Sequence, residues 1–461
     1  MIGIIREGSS RLTALFAGRQ GFAKTARKAW MSIGFVVLAL PVWAETTIQE
    51  VTSPGGIRAW LVEEHGIPFT ALSISFQGGT SLDATNQRGV TNLMTALIEE
   101  GAGEMNAQDF AAARDGLAAE FRFGSNIDGV SVRARFLTEN RDAAIDLLRQ
   151  ALITPRFDAD AIERVRGQVL ANLRSQAKDP GAIAGDALRA RMFPGHVYGL
   201  PTDGSIQSVT ALTQADILAA HQAVFAKDHL TVAATGDITA IELGLLLDRL
   251  LGDLPETGSA LPGRAEVAEM GGLKVADFPG PQAIVAFAAP GIRFDDPDYF
   301  AATVMNDVLG GDRFGSRLMN ELREKRGLTY GARTSLAAYD QGEILSGSFA
   351  TGVATAAQAV EVLRGEWARM ADGGISEQEL DDAKRYLTGS YPLRFDGNAA
   401  IAAILVGMQT LGLSPDYPKT RNDLVSAVTV QDVARVAKRL MDPEKLFVMV
   451  VGQDTGLTGT E

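Results

Sequence analysis

No cysteine occurs among the 461 residues, which excludes disulfides, thiolate nucleophiles and cysteine-ligated metal, and which fits a bacterial exported protein without requiring one. Histidine is nearly as scarce: His65, His196, His221 and His229 are the only four, and no two stand in His-x-x-x-His spacing. A histidine-based metal site built by this chain alone is therefore not expected. The apolar run from Ile33 to Leu40 is well short of the roughly 20 residues that a membrane-spanning helix needs. Positive charge is in deficit, with 43 Lys/Arg against 56 Asp/Glu and a formal charge of −13. The first 44 residues hold six Lys/Arg and one Asp/Glu, so the remainder carries −18. Such a field repels nucleic acid and acidic membranes and attracts basic peptides or a basic partner.

What is present is an ordinary globular composition, 46% hydrophobic and 21% charged, with 49 glycines to supply turns. The length suggests roughly two to four domains. Near the amino terminus Lys24, Arg27 and Lys28 precede the Ile33 to Leu40 run, and Pro41-Val42-Trp43-Ala44 follows. This reads as a secretory signal cleaved after Ala44, and points to the periplasm with no stable membrane anchor.

Beyond it the chain alternates strand and helix patterns. Phe69 to Phe76 and Val130 to Phe136 alternate with period two, as half-buried strands should. Helical patterns run from Arg88 to Glu100, Ala107 to Leu117, Asn140 to Ala151, Ala159 to Gln176, Pro180 to Met192 and Gln214 to Phe225, before a strand at Leu230 to Thr235. The second half repeats this order. Val209 to Asp216 matches Val425 to Asp432, and Leu230, Val232 and Gly236 match Leu446, Val448 and Gly452, all at one offset of 216 residues. A single offset held through a helix and the strand after it indicates an internal repeat. Residues 252–264, rich in Pro, Gly and polar side chains, read as a linker between lobes at 46–251 and 265–461. The expected fold is α+β: two homologous lobes, each an antiparallel-rich sheet packed with helices, facing each other across a cleft where a ligand would bind.

The most chemically specific run is Ser316 to Gly331. Leu318, Met319 and Leu322 have helical spacing, Lys325 and Arg326 suit the negative end of a helix dipole, and Gly327 can close the helix in the left-handed conformation. Arg323 on the last turns and Tyr330 early in a following strand would place a guanidinium and a phenol at one corner, able to hold a carbonyl or a developing oxyanion. On local sequence alone, Arg323 could equally cap helix carbonyls and Tyr330 pack its ring in the core.

These residues resemble the pitrilysin-type zinc metallopeptidases, in the branch of mitochondrial processing peptidase and its bacterial two-lobed relatives, over about residues 46 to 455. The resemblance implies the two-lobed metallohydrolase fold of that family. Its first long helix carries Gly-x-x-His-x-x-Glu-His, an inverted zincin motif with two zinc ligands and the general base on one helix face. Here the matching helix reads Gly89-Val90-Thr91-Asn92-Leu93-Met94-Thr95-Ala96. Asn92, Thr95 and Ala96 stand in the His, Glu and His places, and the third ligand, a glutamate, falls on Asn172, with a nearby acidic position on Val165. An amide, a hydroxyl and a methyl do not replace imidazole and carboxylate as tight zinc ligands. Glu99 and Glu100, next to the emptied site, read as a solvated helix end. By contrast Leu322-Arg323-Glu324-Lys325-Arg326-Gly327-Leu328-Thr329-Tyr330 keeps the family's arginine and tyrosine, which reach the substrate, with Ser316-Arg317-Leu318 also on pattern. The long glycine-rich loop of the mitochondrial non-catalytic subunit is not matched by the short Gly310 to Gly315.

The resemblance thus implies a zinc-less subunit with no cofactor of its own. A homologous partner would bring the zinc, and Arg323 and Tyr330 would act in trans on a peptide substrate. The rival expectation is a peptidase-fold scaffold with no part in hydrolysis. An active stand-alone peptidase would need metal ligands that the sequence does not offer.

Overall fold

The computed structural model describes residues 47–460, save Met270; the signal segment read at 1–44 lies outside them. The first lobe opens with strands β1 (Gln49–Thr52), β2 (Arg58–Glu63) and β3 (Phe69–Gln77), then helix α1 (Val90–Leu97), the short pair β4 (Gly101–Ala102) and β5 (Met105–Asn106), and α2 (Ala107–Gly116). A hairpin of β6 (Glu120–Ser125) and β7 (Gly129–Leu137) leads to α3 (Arg141–Ile153), α4 (Ala159–Gln176), α5 (Pro180–Met192), α6 (Ile206–Ala211) and α7 (Gln214–Val224). Strand β8 (Leu230–Gly236) and α8 (Ala240–Leu251) close the lobe. Residues 252–269 carry neither helix nor strand.

The second lobe runs β9 (Gly272–Ala276), β10 (Gln282–Pro290), α9 (Tyr299–Gly310), a π-helical segment Met319–Glu324, β11 (Ala332–Tyr339), β12 (Gly342–Gly352), α10 (Ala356–Gly373), α11 (Glu377–Ser390), α12 (Asn398–Thr410), α13 (Tyr417–Ala427), α14 (Val430–Leu440) and β13 (Phe447–Val451).

The two sheets share one topology. The first has the order β1-β2-β8-β3-β7-β6, the second β9-β13-β10-β12-β11. In each, the last strand inserts between two earlier ones, parallel to one and antiparallel to the other, β8 between β2 and β3 and β13 between β9 and β10, with β1 an additional edge strand of the first sheet. The repeat read at offset 216 is thereby a repeat of structure. It extends to the caps: Thr213 and Asp216 form a reciprocal capping box at the start of α7, and Thr429 and Asp432 form the same box on α14. Local chemistry explains other boundaries. Pro180 sits at the first turn of α5, where its missing N–H costs nothing, and Asp179 accepts from the Ala182 N–H at 2.7 Å. In β7, Val130, Val132, Ala134 and Phe136 are buried while Arg133 and Arg135 are exposed, so period two sets which face meets the core.

Helix α1 is shorter than the pattern from Arg88 to Glu100. Arg88 is held before the helix by the Thr80 and Pro201 carbonyls, and Gly89 takes φ +89°. Asp83 then accepts from the N–H groups of Gly89 and Thr91, satisfying donors a helix start leaves orphaned. At the other end the chain turns into β4.

Each lobe has its own apolar core, and two further clusters join them by exchange. Helix α5, from the first half, lays Ala184, Leu188 and Met192 on Ala286, Ala288, Phe447 and Met449 of the second sheet. Helix α12, from the second half, lays Leu405, Val406 and Met408 on Trp60, Val62 and Ala233 of the first. Gln409 at its end donates to the Val232 carbonyl at 2.9 Å. The exchanged helices hold the lobes in register over buried apolar surface, a stronger coupling than a linker alone provides.

Candidate functional site

The corner is built from the start of the motif upward. Arg317 is 9% exposed. Its Nε and Nη2 reach both oxygens of Glu379 at 2.7 and 2.8 Å, and Nη2 also donates to the Gly374 carbonyl at 2.9 Å. This fork ties the segment to the end of α10 and the start of α11. Beyond it the backbone widens into a π turn, with the Lys325 N–H bonding to the Asn320 carbonyl five residues back. Lys325 and Arg326 both close on Glu321, Lys325 at 2.6 Å, and hold its carboxyl below the usual range. Arg326 Nη1 also donates to the Glu321 carbonyl at 2.9 Å. Gly327 takes φ +62°, the left-handed close expected of it.

Arg323 is therefore not the residue that caps the helix. Its guanidinium lies 5.2 Å from the Phe314 ring centroid, and its Nε stands 3.5 Å from Glu324. Tyr330 precedes β11 instead of beginning a strand, and it is 88% exposed. Its ring does not pack in the core, and its phenol has no hydrogen-bond partner among the described residues. Phe314, 74% exposed, lies against Arg323 and, like Tyr330, faces outward. Phe314 was not singled out in the sequence. A large aromatic within the Gly-rich run before the motif was the available signal.

The positions that the resemblance assigns to zinc lie on the first lobe. Asn92, on α1, donates from Nδ2 to Asp203 at 3.4 Å, and Asp203 also accepts from Gln176 of α4 at 2.9 Å. Thr95 is buried, with its hydroxyl given to the Thr91 carbonyl at 2.7 Å. Ala96 and Asn172 face outward. These groups do not fit a zinc ion: the Asn92 amide and the Thr95 hydroxyl are bonded within the protein, and none of the four positions offers an imidazole or a carboxylate. Among the described residues, no group of three or more His, Asp or Glu is placed to hold a metal. Glu99 and Glu100 are not a free solvated face. Glu99 pairs with Arg114 at 3.3 Å and Glu100 with Arg164 at 2.8 Å, and burial pushes the Glu99 carboxyl up. No hydrogen bond, ion pair or ring contact joins the emptied positions to Arg323 and Tyr330 among the described residues.

A separate cavity of about 1100 Å³ lies in the second lobe, walled by α5, the β10–β12–β11 face, α9 and the α11–α12 connection. Arg421, Arg394, Tyr391 and Asn306 line it, and sequence reasoning found none of them.

Comparison with known proteins agrees with this architecture. Residues 58–204 match the model described as Insulinase (Peptidase family M16), and residues 211–387 match Peptidase M16 inactive domain. A Helicobacter pylori protein named non-peptidase homolog YmxG is 28% identical over 372 residues, covering 80% of this chain and 86% of that one. A Schizosaccharomyces pombe protein named as a probable mitochondrial-processing peptidase subunit beta is 24% identical, covering 92% and 94%. The solved structure of a peptidase M16 inactive domain from Pseudomonas fluorescens superposes with a TM-score of 0.83 at 28% identity, covering 88% of this chain and 98% of that one. The shared topology of the two sheets and these matches meet in one statement: the chain belongs to the peptidase M16 family and has its peptidase fold.

Proposed function

We propose that this chain is the zinc-less subunit of a periplasmic, heteromeric zinc metallopeptidase. A homologous partner supplies metal, water and general base. This chain closes the chamber, pairs with an extended peptide along a sheet edge, and offers Arg323 and Tyr330 to the scissile carbonyl. The division is chemically sensible, since a metal generates hydroxide while fixed donors stabilise the tetrahedral intermediate.

The observation that carries the reading is the outward placement of Arg323, Phe314 and Tyr330 on a firmly braced segment. Burying a phenol is a normal way to gain stability, whereas Tyr330 at 88% exposure gains almost none. Its fit is to something outside the chain.

The test is reconstitution with the partner, identified by its intact His-x-x-Glu-His motif and bound zinc. Losing one oxyanion donor typically costs about 3 kcal/mol of transition-state stabilisation, so Arg323→Ala and Tyr330→Phe should each lower kcat on the order of 100-fold. Assembly, followed by gel filtration, should change little. Full turnover by both variants refutes the catalytic role and leaves a scaffold.

A further inference from the structure

The second-lobe cavity, at about 1100 Å³, is slightly larger than the usual range for ligand pockets, roughly 300–1,000 Å³. Its charge is unusual for so acidic a chain. Asp307 on its wall is engaged by Arg313 at 2.6 Å, and Asp312 lies 3.9 Å from Arg333. Arg421 and Arg394 have no carboxylate partner among the described residues. Arg394 is exposed, but Arg421 is only 8% exposed. The Arg421 guanidinium donates to the Leu387 carbonyl at 2.7 Å and Asn422 Oδ1 at 3.1 Å, and its carbon sits 4.5 Å from the Tyr391 ring centroid. Neutral partners orient it without cancelling its charge. A buried guanidinium lacking a counter-charge is costly to keep, and it lowers that cost when an anion arrives.

A second feature sits on the same wall. Strand β11 is the edge of its sheet. The Thr334 carbonyl accepts from Asn306 Nδ2 at 3.3 Å, so the backbone of Thr334 faces away from β12. By the alternation of an antiparallel ladder, Leu336 and Ala338 face the same way. Their outward N–H and C=O groups have no partner among the described residues. Close by, Asn306 Oδ1 is buried without a hydrogen bond. Gly181 and Gly185, one turn apart on α5, keep the opposite wall low.

We propose that this cavity binds a short extended peptide, its carboxylate held by Arg421 and Arg394 and its backbone added to the free edge of β11 at Leu336. The inference rests on the reading of the chain as a peptide-binding subunit, and not on a partner's zinc. Aromatic walls at Tyr391 and Tyr417 suit an apolar or aromatic side chain beside the carboxylate. The carboxylate is either a chain terminus or an acidic side chain, and both present the same two oxygens to a guanidinium fork.

The experiment uses fluorescence anisotropy of the purified chain with three labelled pentapeptides. The first is Ala-Ala-Val-Ala-Phe with a free carboxyl terminus, the second its carboxy-terminal amide, and the third that amide with Glu replacing Val. The free acid should bind at least tenfold more tightly than the plain amide. Binding restored by Glu in the third peptide identifies a side-chain carboxylate as an acceptable source; no restoration identifies the terminus. Arg394→Gln, at an exposed position, should weaken the free acid about tenfold with the fold intact by circular dichroism. Arg421→Gln should do at least as much where its melting curve shows a folded protein. Equal binding of acid and amide, no saturable binding below about 1 mM, or a folded Arg394→Gln protein that binds as the original does, overturns the proposal. If the free acid fails to bind while the reconstituted pair still responds to Arg323→Ala, the cavity inference fails and the peptidase reading stands. If the chain alone binds the free acid while both corner variants keep full turnover, the cavity inference stands and the peptidase reading fails.

Discussion

Replacing Arg317 by Met is the sharpest test of what braces the corner. Arg317 donates to both oxygens of Glu379 and to the Gly374 carbonyl. Burial pushes the Glu379 carboxyl up, but the bonds from Arg317 and from Ser376 outweigh it and bring the pKa from 4.5 to about 2. That displacement corresponds to roughly 3 kcal/mol of folding free energy. The Ser376 backbone N–H and hydroxyl remain in the variant, so the share lost with Arg317 is about 2 kcal/mol. The folded pKa is depressed, so the stabilisation is complete above the unfolded value of 4.5 and disappears as pH falls toward 2. Urea unfolding followed by fluorescence, with Trp367 buried in the same lobe's core as a reporter, should show Arg317→Met about 2 kcal/mol less stable at pH 7. At pH 3 the gap should fall below about 1 kcal/mol. An equal gap at both pH values would show that Arg317 acts through packing alone. A gap under about 0.5 kcal/mol at pH 7 would show that solvent screens the pair.

His221 gives a second, separate acid window. Burial holds its pKa down at about 4, against the pull of its bond to the Leu152 carbonyl at 2.9 Å. The unfolded chain takes up the proton first, so stability falls as pH drops from about 6.5 toward 4, by up to about 3 kcal/mol. His221→Phe should flatten the urea midpoint between pH 7 and 5; an unchanged slope refutes the assignment. Leu405→Ala, in the helix exchanged onto the first sheet, should cost about 2–5 kcal/mol. Hydrogen exchange should then speed up in β3 and β8 of the first lobe, and loss of protection confined to α12 would refute the coupling.

Much of the fold could be read from local chemistry. The capping boxes at Thr213 and Thr429, Pro180 at the start of α5 and the period-two runs all act within a few residues, and the repeat carried one sheet order into both halves. What pattern alone could not place were the partners of each face. An amphipathic stripe on α5 or α12 says that something apolar covers it, not that the cover is the other lobe's sheet. The corner shows the same split. Gly327 in the left-handed region was legible because only one residue type takes it cheaply. That Arg317 is a brace and Arg326 the carbonyl cap, while Arg323 is left over, depends on Glu379, Gly374 and Glu321 approaching from elsewhere. Arg421 and Arg394 were invisible for a related reason: an unpaired cation is defined by the carboxylates that fail to come near it.

The two groups of residues that the family resemblance singles out have different surroundings. Of the positions that the resemblance assigns to zinc, two are tied in, Asn92 sharing Asp203 with Gln176 and Thr95 bonding to its own helix, while Ala96 and Asn172 face outward. Buried polar groups are expensive if unpaired, and Asn92 and Thr95 both have partners, so seating a metal there would require undoing bonds as well as supplying ligands. At the corner the polar and aromatic groups stay open. Arg317, Glu321, Lys325 and Arg326 are spent on one another and on the backbone, whereas Arg323, Phe314 and Tyr330 are held outward. Folding alone would favour closing both regions. One region tied in and one left open on a braced platform is the arrangement that the proposed division of labour between two chains calls for.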